Sequence, residues 1–343
     1  MASGGQDARA RLKQGKNGPL VLLFYDGFEL LARPGMAGFA HSQARRIARW
    51  AWRSARGVQV HTGFYAAFLA LRRSLRAVGC DVRVNDFALA RSMPDYPVGI
   101  AGYPSVIDRV RLPNPMIFGP GDYGPPQAGP NLLRSTNIRI YIQPSDWYRD
   151  YYEPHFGGRT QTLFVGIDAQ RWPDWSGEPK DNDVLVYDKI RWGRDTLVPE
   201  VRERLIEHLE RRGLSHHTLV YGNHHYWSFA HWLRRSRVMV FLCEHETQGL
   251  AYQEAMSTNM PVYAWDEGRL IDPQMMKRPE LNASSVPYFD KRCGATFRLA
   301  EMETGFDRFW AERATFEPRA YVLDALSEER CGERYLSMYA SLT

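Results

Sequence analysis

Short apolar runs alternate along this chain with longer stretches of helical periodicity. Residues 20–25, 58–60, 80–84, 116–118 and 138–142 read as strands in the first half. Runs starting at Val184, Thr218, Val238 and Pro261 read as strands in the second. Between them lie helix patterns. Phe68, Leu69, Leu71, Leu75 and Val78 line up before Gly79, residues 201–210 are amphipathic up to Gly213, and 228–237, 250–256 and 323–342 follow. Strands alternating with helices in this way build parallel sheets, which bind ligands beyond the carboxyl ends of their strands. At 343 residues the chain is long enough for two domains, and no internal repeat or low-complexity segment interrupts it.

One stretch, 238–262, concentrates the chemistry. A buried strand (238–242) leads into polar residues that include Glu246. Gly249 follows, then the helix-favouring run Leu250-Ala-Tyr-Gln-Glu254-Ala-Met, and then the strand opened by Pro261. Glu246 therefore sits on the loop and Glu254 on the helix. At about 1.5 Å rise per helical residue the two carboxylates stand roughly 10–12 Å apart. A glycosidase pair needs about 5–5.5 Å, or about 6.5–9.5 Å if inverting, so these two do not share one bond. They suit the two ends of an extended ligand, with the helix N-terminus between them offering N–H groups to a phosphate. Sugar, diphosphate and ribose laid end to end fit that description.

Glu246-Thr-Gln-Gly-Leu-Ala-Tyr-Gln-Glu254-Ala-Met, with Asn259-Met-Pro261-Val after it, resembles the E-x7-E signature of retaining GT-B glycosyltransferases, especially glycosyltransferase family 4. The resemblance implies an α/β fold of two Rossmann-like domains facing a cleft, with the last helix crossing back to the first domain. Its expected divisions are a mobile leader (1–17), an N-terminal acceptor domain (18–165), a nucleotide-sugar domain (166–322) and the returning helix (323–343). It implies transfer of a hexose or similar sugar from a nucleoside diphosphate to an acceptor hydroxyl, without metal or other cofactor and with retention at the anomeric carbon. Glu246 would hold the donor sugar, so that its charge matters little to the nucleotide end, and Glu254 would hold the ribose. Thr247, Gln248, Gly249 and Leu250 would form the loop over sugar and phosphate. Lys189, as a catalytic partner, with Arg191 and Arg194, would neutralise the diphosphate, since charge builds on the leaving group as the bond breaks. Asn223, His224 and Tyr226 would meet the base or ribose, and Thr62-Gly63 would approach the donor phosphates from the first domain. Asp122 and His61 are the candidates on the acceptor side, where the family carries a histidine.

Composition narrows the alternatives. The chain is 44% hydrophobic and 24% charged, with a formal charge of +5, and its ten Trp and eighteen Tyr suit carbohydrate contacts as well as ordinary cores. Cys80, Cys243, Cys293 and Cys331 stand singly, with no metal-binding spacing, and read as reduced thiols in a cytoplasmic protein. The pairs His216-His217 and His224-His225 do not form a metal site, because adjacent side chains do not share a helix face. Asp181-Asn-Asp183, the one Asp-x-Asp, precedes its strand and points away from the ligand end. No run approaches the ~18 apolar residues of a membrane span.

An insertion of about thirty residues precedes Thr62, longer than an ordinary connection of about 2–6. Its second half, 41–56, carries five arginines and no acidic residue. Arg45, Arg49, Arg53 and Arg56 recur at helical spacing, Ile47, Ala51 and Ser54 fall opposite, and Trp50 and Trp52 flank them. Such a helix suits an anionic membrane surface. A lipid-linked acceptor glycan, as in bacterial surface polysaccharide or glycolipid synthesis, and peripheral attachment to the inner face of the cytoplasmic membrane are the matching expectations. The alternative is a solvated helix whose tryptophans meet the first domain. Two further readings compete for function. A nucleotide-sugar epimerase of the same fold would need no acceptor, and a basic nucleic-acid-binding protein would need a binding motif that the chain lacks. No nucleic acid is expected as a partner.

Overall fold

A computed structural model describes residues 10–25, 35–55, 63–102, 111–121, 124–275 and 277–343. His61, Thr62 and Asp122 lie outside the described residues, as do the side chains of Arg49, Trp50, Arg53 and Tyr226. The chain divides into two compact units, residues 1–166 with 328–343, and residues 167–327.

The first unit is built on a six-stranded parallel sheet. Its strands are β1 (Leu20–Tyr25), β2 (Asp81–Val84), β3 (Val98–Gly102), β4 (Met116–Gly121), β5 (Ile138–Gln143) and β6 (Thr160–Thr162), in the order β2-β1-β3-β4-β5-β6. All six residues of β1 are buried, as a strand in the middle of a covered parallel sheet requires. β3 had no counterpart among the sequence expectations, because Val-Gly-Ile-Ala-Gly offers little apolar patterning. One of its two glycines has a packing reason. A Cβ on Gly99 would stand 1.9 Å from the Tyr335 hydroxyl.

Tyr335 belongs to the C-terminal helix Glu328–Ala340, which packs on the helix Gly63–Ala77 of the same unit. Gly332 permits that approach, since a Cβ there would lie 2.3 Å from the Ser74 carbonyl oxygen. The Tyr339 hydroxyl accepts from the Leu22 N–H at 3.0 Å and donates to the Pro97 carbonyl, tying the helix to the sheet. The helix expected over 323–342 is split: Val322–Leu326 form a π-helical turn and the α-helix starts at Glu328. Ser327 is extended, the Ile167 N–H donates to the Leu326 carbonyl at 2.9 Å, and that bridge interrupts the helix before Glu328.

The basic stretch is helical over Gly35–Ala55. Ile47, on the side opposite the arginines, is 66% exposed, and Trp52 is 53% exposed, so neither side chain is enclosed by the described residues. Among the described residues no helix is long and apolar enough to cross a membrane.

The second unit has a five-stranded parallel sheet. β7 (Asn182–Asp188), β8 (His216–Val220), β9 (Ser236–Leu242), β10 (Val262–Trp265) and β11 (Gly294–Phe297) run in the order β11-β10-β9-β7-β8. β9 lies between β7 and β10, and its residues from Val238 to Leu242 are fully buried. One face of this sheet meets Val201, Leu205, Leu209, Phe306 and Phe309 from the flanking helices. The carboxyl ends of β7 and β9 meet there, with Asp188 in register with Leu242.

Candidate functional site

The segment after β9 does what few loops do: it buries its polar side chains. Glu244, His245, Glu246 and Gln248 are all 5% exposed or less, while Thr247 is exposed. Buried polar groups need partners, and these come from the loop after β7 and from the next helix. Gly249 has φ +84°, and a Cβ there would meet the Tyr252 ring at 2.1 Å, so glycine alone turns the chain into the helix Leu250–Ser257. Gln248 and Gln253 then clasp the first turn. Gln248 Nε2 donates to Gln253 Oε1, and Gln253 Nε2 to the Gln248 carbonyl, both at 3.0 Å. Leu250 is 37% exposed at the helix start.

Glu244 holds the loop after β7. Its carboxylate accepts from the Arg191 N–H and the Trp192 N–H, each at 2.9 Å. The Arg191 guanidinium donates to the His245 carbonyl at 2.6 Å and covers the Trp192 ring at 4.2 Å. The His245 ring stacks on Trp192 with centroids 4.9 Å apart. Burial, and then the Arg191 charge, push the His245 imidazole down to about 4. It is neutral at pH 7, consistent with its Nε2 accepting from the Asp272 N–H at 3.2 Å.

Lys189 and Glu246 form a buried ion pair, with side chains 14% and 6% exposed. Burial alone would depress the Lys189 ammonium. The facing Glu246 carboxylate outweighs it and leaves that pKa raised. The ammonium also lies 4.6 Å over the Tyr221 ring, and the Cys243 thiol lies 3.6 Å from Glu246 Oε1. Arg194 goes elsewhere than the diphosphate role expected of it. It forks onto the fully buried Asp188 at 3.0 and 2.8 Å, and Arg202 adds a third contact at 2.7 Å.

Glu254 lies one turn into the helix, partly buried. Burial pushes its carboxyl up to about 7, against the nearby Arg171 charge and a hydrogen bond from the Trp172 side chain. Both partners come from the segment that opens this unit, which also wraps the helix. The Ser257 hydroxyl donates to the Trp172 carbonyl at 2.8 Å, and the Trp175 N–H to the Thr258 carbonyl at 3.1 Å. The sequence reading missed Arg171 and Trp172, because nothing in Asp168-Ala-Gln-Arg-Trp marks them as partners of a residue some eighty positions away.

On the loop after β8, His224 Nδ1 hydrogen-bonds the Val220 carbonyl at 2.9 Å, its ring edge meets Tyr187 at 5.7 Å, and Asn223 is exposed. Gly63 lies in the other unit, at the start of its helix with φ +52°. Asp181 and Asp183 stand at the amino end of β7, on Arg235 and Arg237. Of the histidine pairs, His217 stacks on Trp232 at 3.7 Å. Among the described residues no group of three His, Cys, Asp or Glu side chains is placed to hold a metal ion.

No protein-family model and no curated protein matches the chain. Solved structures do. Sucrose-phosphate synthase from Thermosynechococcus elongatus is 12% identical with a TM-score of 0.52, over 94% of this chain and 99% of that one. A glycosyltransferase from Rickettsia africae is 9% identical, also with a TM-score of 0.52, over 94% and 98%. At such identities the likeness is one of fold, and the fold is GT-B.

Replacing Glu244 by Ala leaves two backbone N–H groups and a buried turn without their acceptor. The expected loss is about 1–3 kcal/mol of stability, read by thermal or denaturant unfolding. Glu244→Gln, which keeps an accepting oxygen, is expected to lose less.

Proposed function

We propose that this chain is a glycosyltransferase that moves a sugar from a nucleoside diphosphate to an acceptor hydroxyl, with retention at the anomeric carbon and with the E-x7-E carboxylates in the roles their family gives them. One observation carries the reading: a buried Lys189–Glu246 pair and a half-buried Glu254 bracket the first turn of the helix Leu250–Ser257. That arrangement offers an anion site flanked by two hydroxyl acceptors. Two proteins of the same fold are named a sucrose-phosphate synthase and a glycosyltransferase, which supports sugar transfer.

In this reading the sugar hydroxyls meet Glu246, the ribose hydroxyls meet Glu254, and the diphosphate lies at Lys189 and the helix N–H groups. The bond from the anomeric carbon to the diphosphate oxygen breaks, and its electron pair leaves with the phosphate. Lys189 and the helix start offset that charge, and the Glu246 carboxylate stabilises positive charge at the sugar ring. The acceptor oxygen bonds to the anomeric carbon on the same face and gives its proton to the departing phosphate. Lys189 supplies the cation here, and the Asp181–Asp183 pair, held by arginines at the far end of β7, takes no part. The acceptor would be a glycan or lipid-linked glycan.

Two outcomes test the site. Release of nucleoside diphosphate from a nucleotide sugar should fall at least about a hundredfold in Glu246→Gln, the scale of losing one charge-stabilising group. Release at the wild-type rate would contradict the assignment. Glu254 adds a pH signature. Ribose hydroxyls bind the ionised carboxylate better, so nucleoside diphosphate affinity should climb as pH rises through about 7. Comparison with Glu254→Gln removes the phosphate's own titration, and the variant should lose that part of the slope. In the unliganded protein the sign reverses. A carboxyl raised from 4.5 to about 7 holds its proton more tightly folded than unfolded, so stability falls as pH rises through that interval, and Glu254→Gln abolishes this fall.

A further inference from the structure

We infer that the buried Lys189–Glu246 pair determines which ligand this site prefers, favouring a nucleoside diphosphate that still carries its sugar over one that has lost it. The inference rests on the nucleotide-sugar reading above.

Both partners are anchored by their own backbones. The Lys189 N–H donates to the Leu242 carbonyl at 2.8 Å, and the Glu246 N–H to the Ser284 carbonyl at 3.0 Å. Their side chains are largely closed off from solvent, 14% and 6% exposed, with the Tyr221 ring beneath the ammonium and the Cys243 thiol beside the carboxylate. The other charges close by have partners of their own. Glu244 receives the Arg191 and Trp192 N–H groups, and the Arg191 guanidinium is directed to the His245 carbonyl.

A diphosphate that engages Lys189 must therefore compete with Glu246. If the phosphate wins alone, the carboxylate is left buried beside a cation that now serves another anion, the situation that makes broken buried pairs costly. A nucleotide sugar avoids this. Its phosphate takes the ammonium while its sugar hydroxyls donate to Glu246, so the pair is exchanged and not broken. The same two residues thus hold the donor and weaken the hold on the product once the sugar has gone. The resemblance places Glu246 at the sugar end alone, where loss of its charge would leave nucleotide binding intact. The ion pair alters that expectation.

The experiment uses the full chain and its Glu246→Gln, Lys189→Met and double variants. Calorimetry with uridine, guanosine and adenosine diphosphates, and with their glucose conjugates, measures the preference. Acylation of Lys189 by an amine-selective reagent, read by mass spectrometry, measures the pair without any nucleotide. Glu246→Gln should label faster at Lys189 and bind the free diphosphate about tenfold more tightly, with no gain for the sugar conjugate. In the Lys189→Met background the same substitution should give no such gain. Unchanged labelling would overturn the pair. Faster labelling with unchanged or weaker diphosphate binding would overturn the preference. Absence of binding by all six ligands to both the wild type and Glu246→Gln would overturn the nucleotide reading itself, and the inference with it.

Discussion

A lysine and a glutamate, both nearly closed off from water, meet at the carboxyl ends of β7 and β9. Burying either charge there alone would be costly. Their pairing requires the two strands to be neighbours, since Lys189 follows β7 and Glu246 lies just beyond β9. It also requires the loop after β7 to stay still, which Glu244 ensures through two backbone N–H groups. The loop after β9 must turn sharply, which Gly249 allows, and the helix beyond it must start at once, which the Gln248–Gln253 clasp secures. The rest of the sheet supports this junction with apolar packing.

Glu254 and Glu246 show how two similar carboxylates acquire different characters a few residues apart. Glu246 has a buried ammonium opposite it. Glu254 has the Arg171 charge and a hydrogen bond from the Trp172 side chain set against burial, and its carboxyl still rises to about 7. A carboxyl poised at that value can take up or release a proton near neutral pH. The two ends of a bound ligand would then be sensed by different physics.

What could be read beforehand follows from how local each signal is. β1, β7, β9 and β10 are dense apolar runs and were legible as strands, as was the glycine turn into the central helix. β3 was not, because glycines that accommodate Tyr335 and other close neighbours remove the apolar pattern. Ser327 breaks the C-terminal helix pattern near its start through a bridge to Ile167, a contact no local periodicity encodes. The two glutamates stand out in the sequence by their spacing, while their partners do not. Lys189 was foreseen as a cation near the diphosphate but not as the ion-pair partner of Glu246. Arg194 was expected beside it and instead serves Asp188, a buried carboxylate that sequence reading passed over. Arg171 and Trp172 were invisible, since they reach Glu254 only through the fold.

In the proposed reading one ligand spans the junction, with its sugar at Glu246, its diphosphate at Lys189 and the helix start, and its ribose at Glu254. A crystal structure of the protein with a nucleoside diphosphate that the wild type binds tests this most directly. Phosphate oxygens are expected on the Lys189 ammonium and the first-turn N–H groups of the helix Leu250–Ser257, with ribose hydroxyls on the Glu254 carboxylate. A nucleotide seated away from all three, with Lys189 still paired to Glu246 and Glu254 untouched, would contradict it.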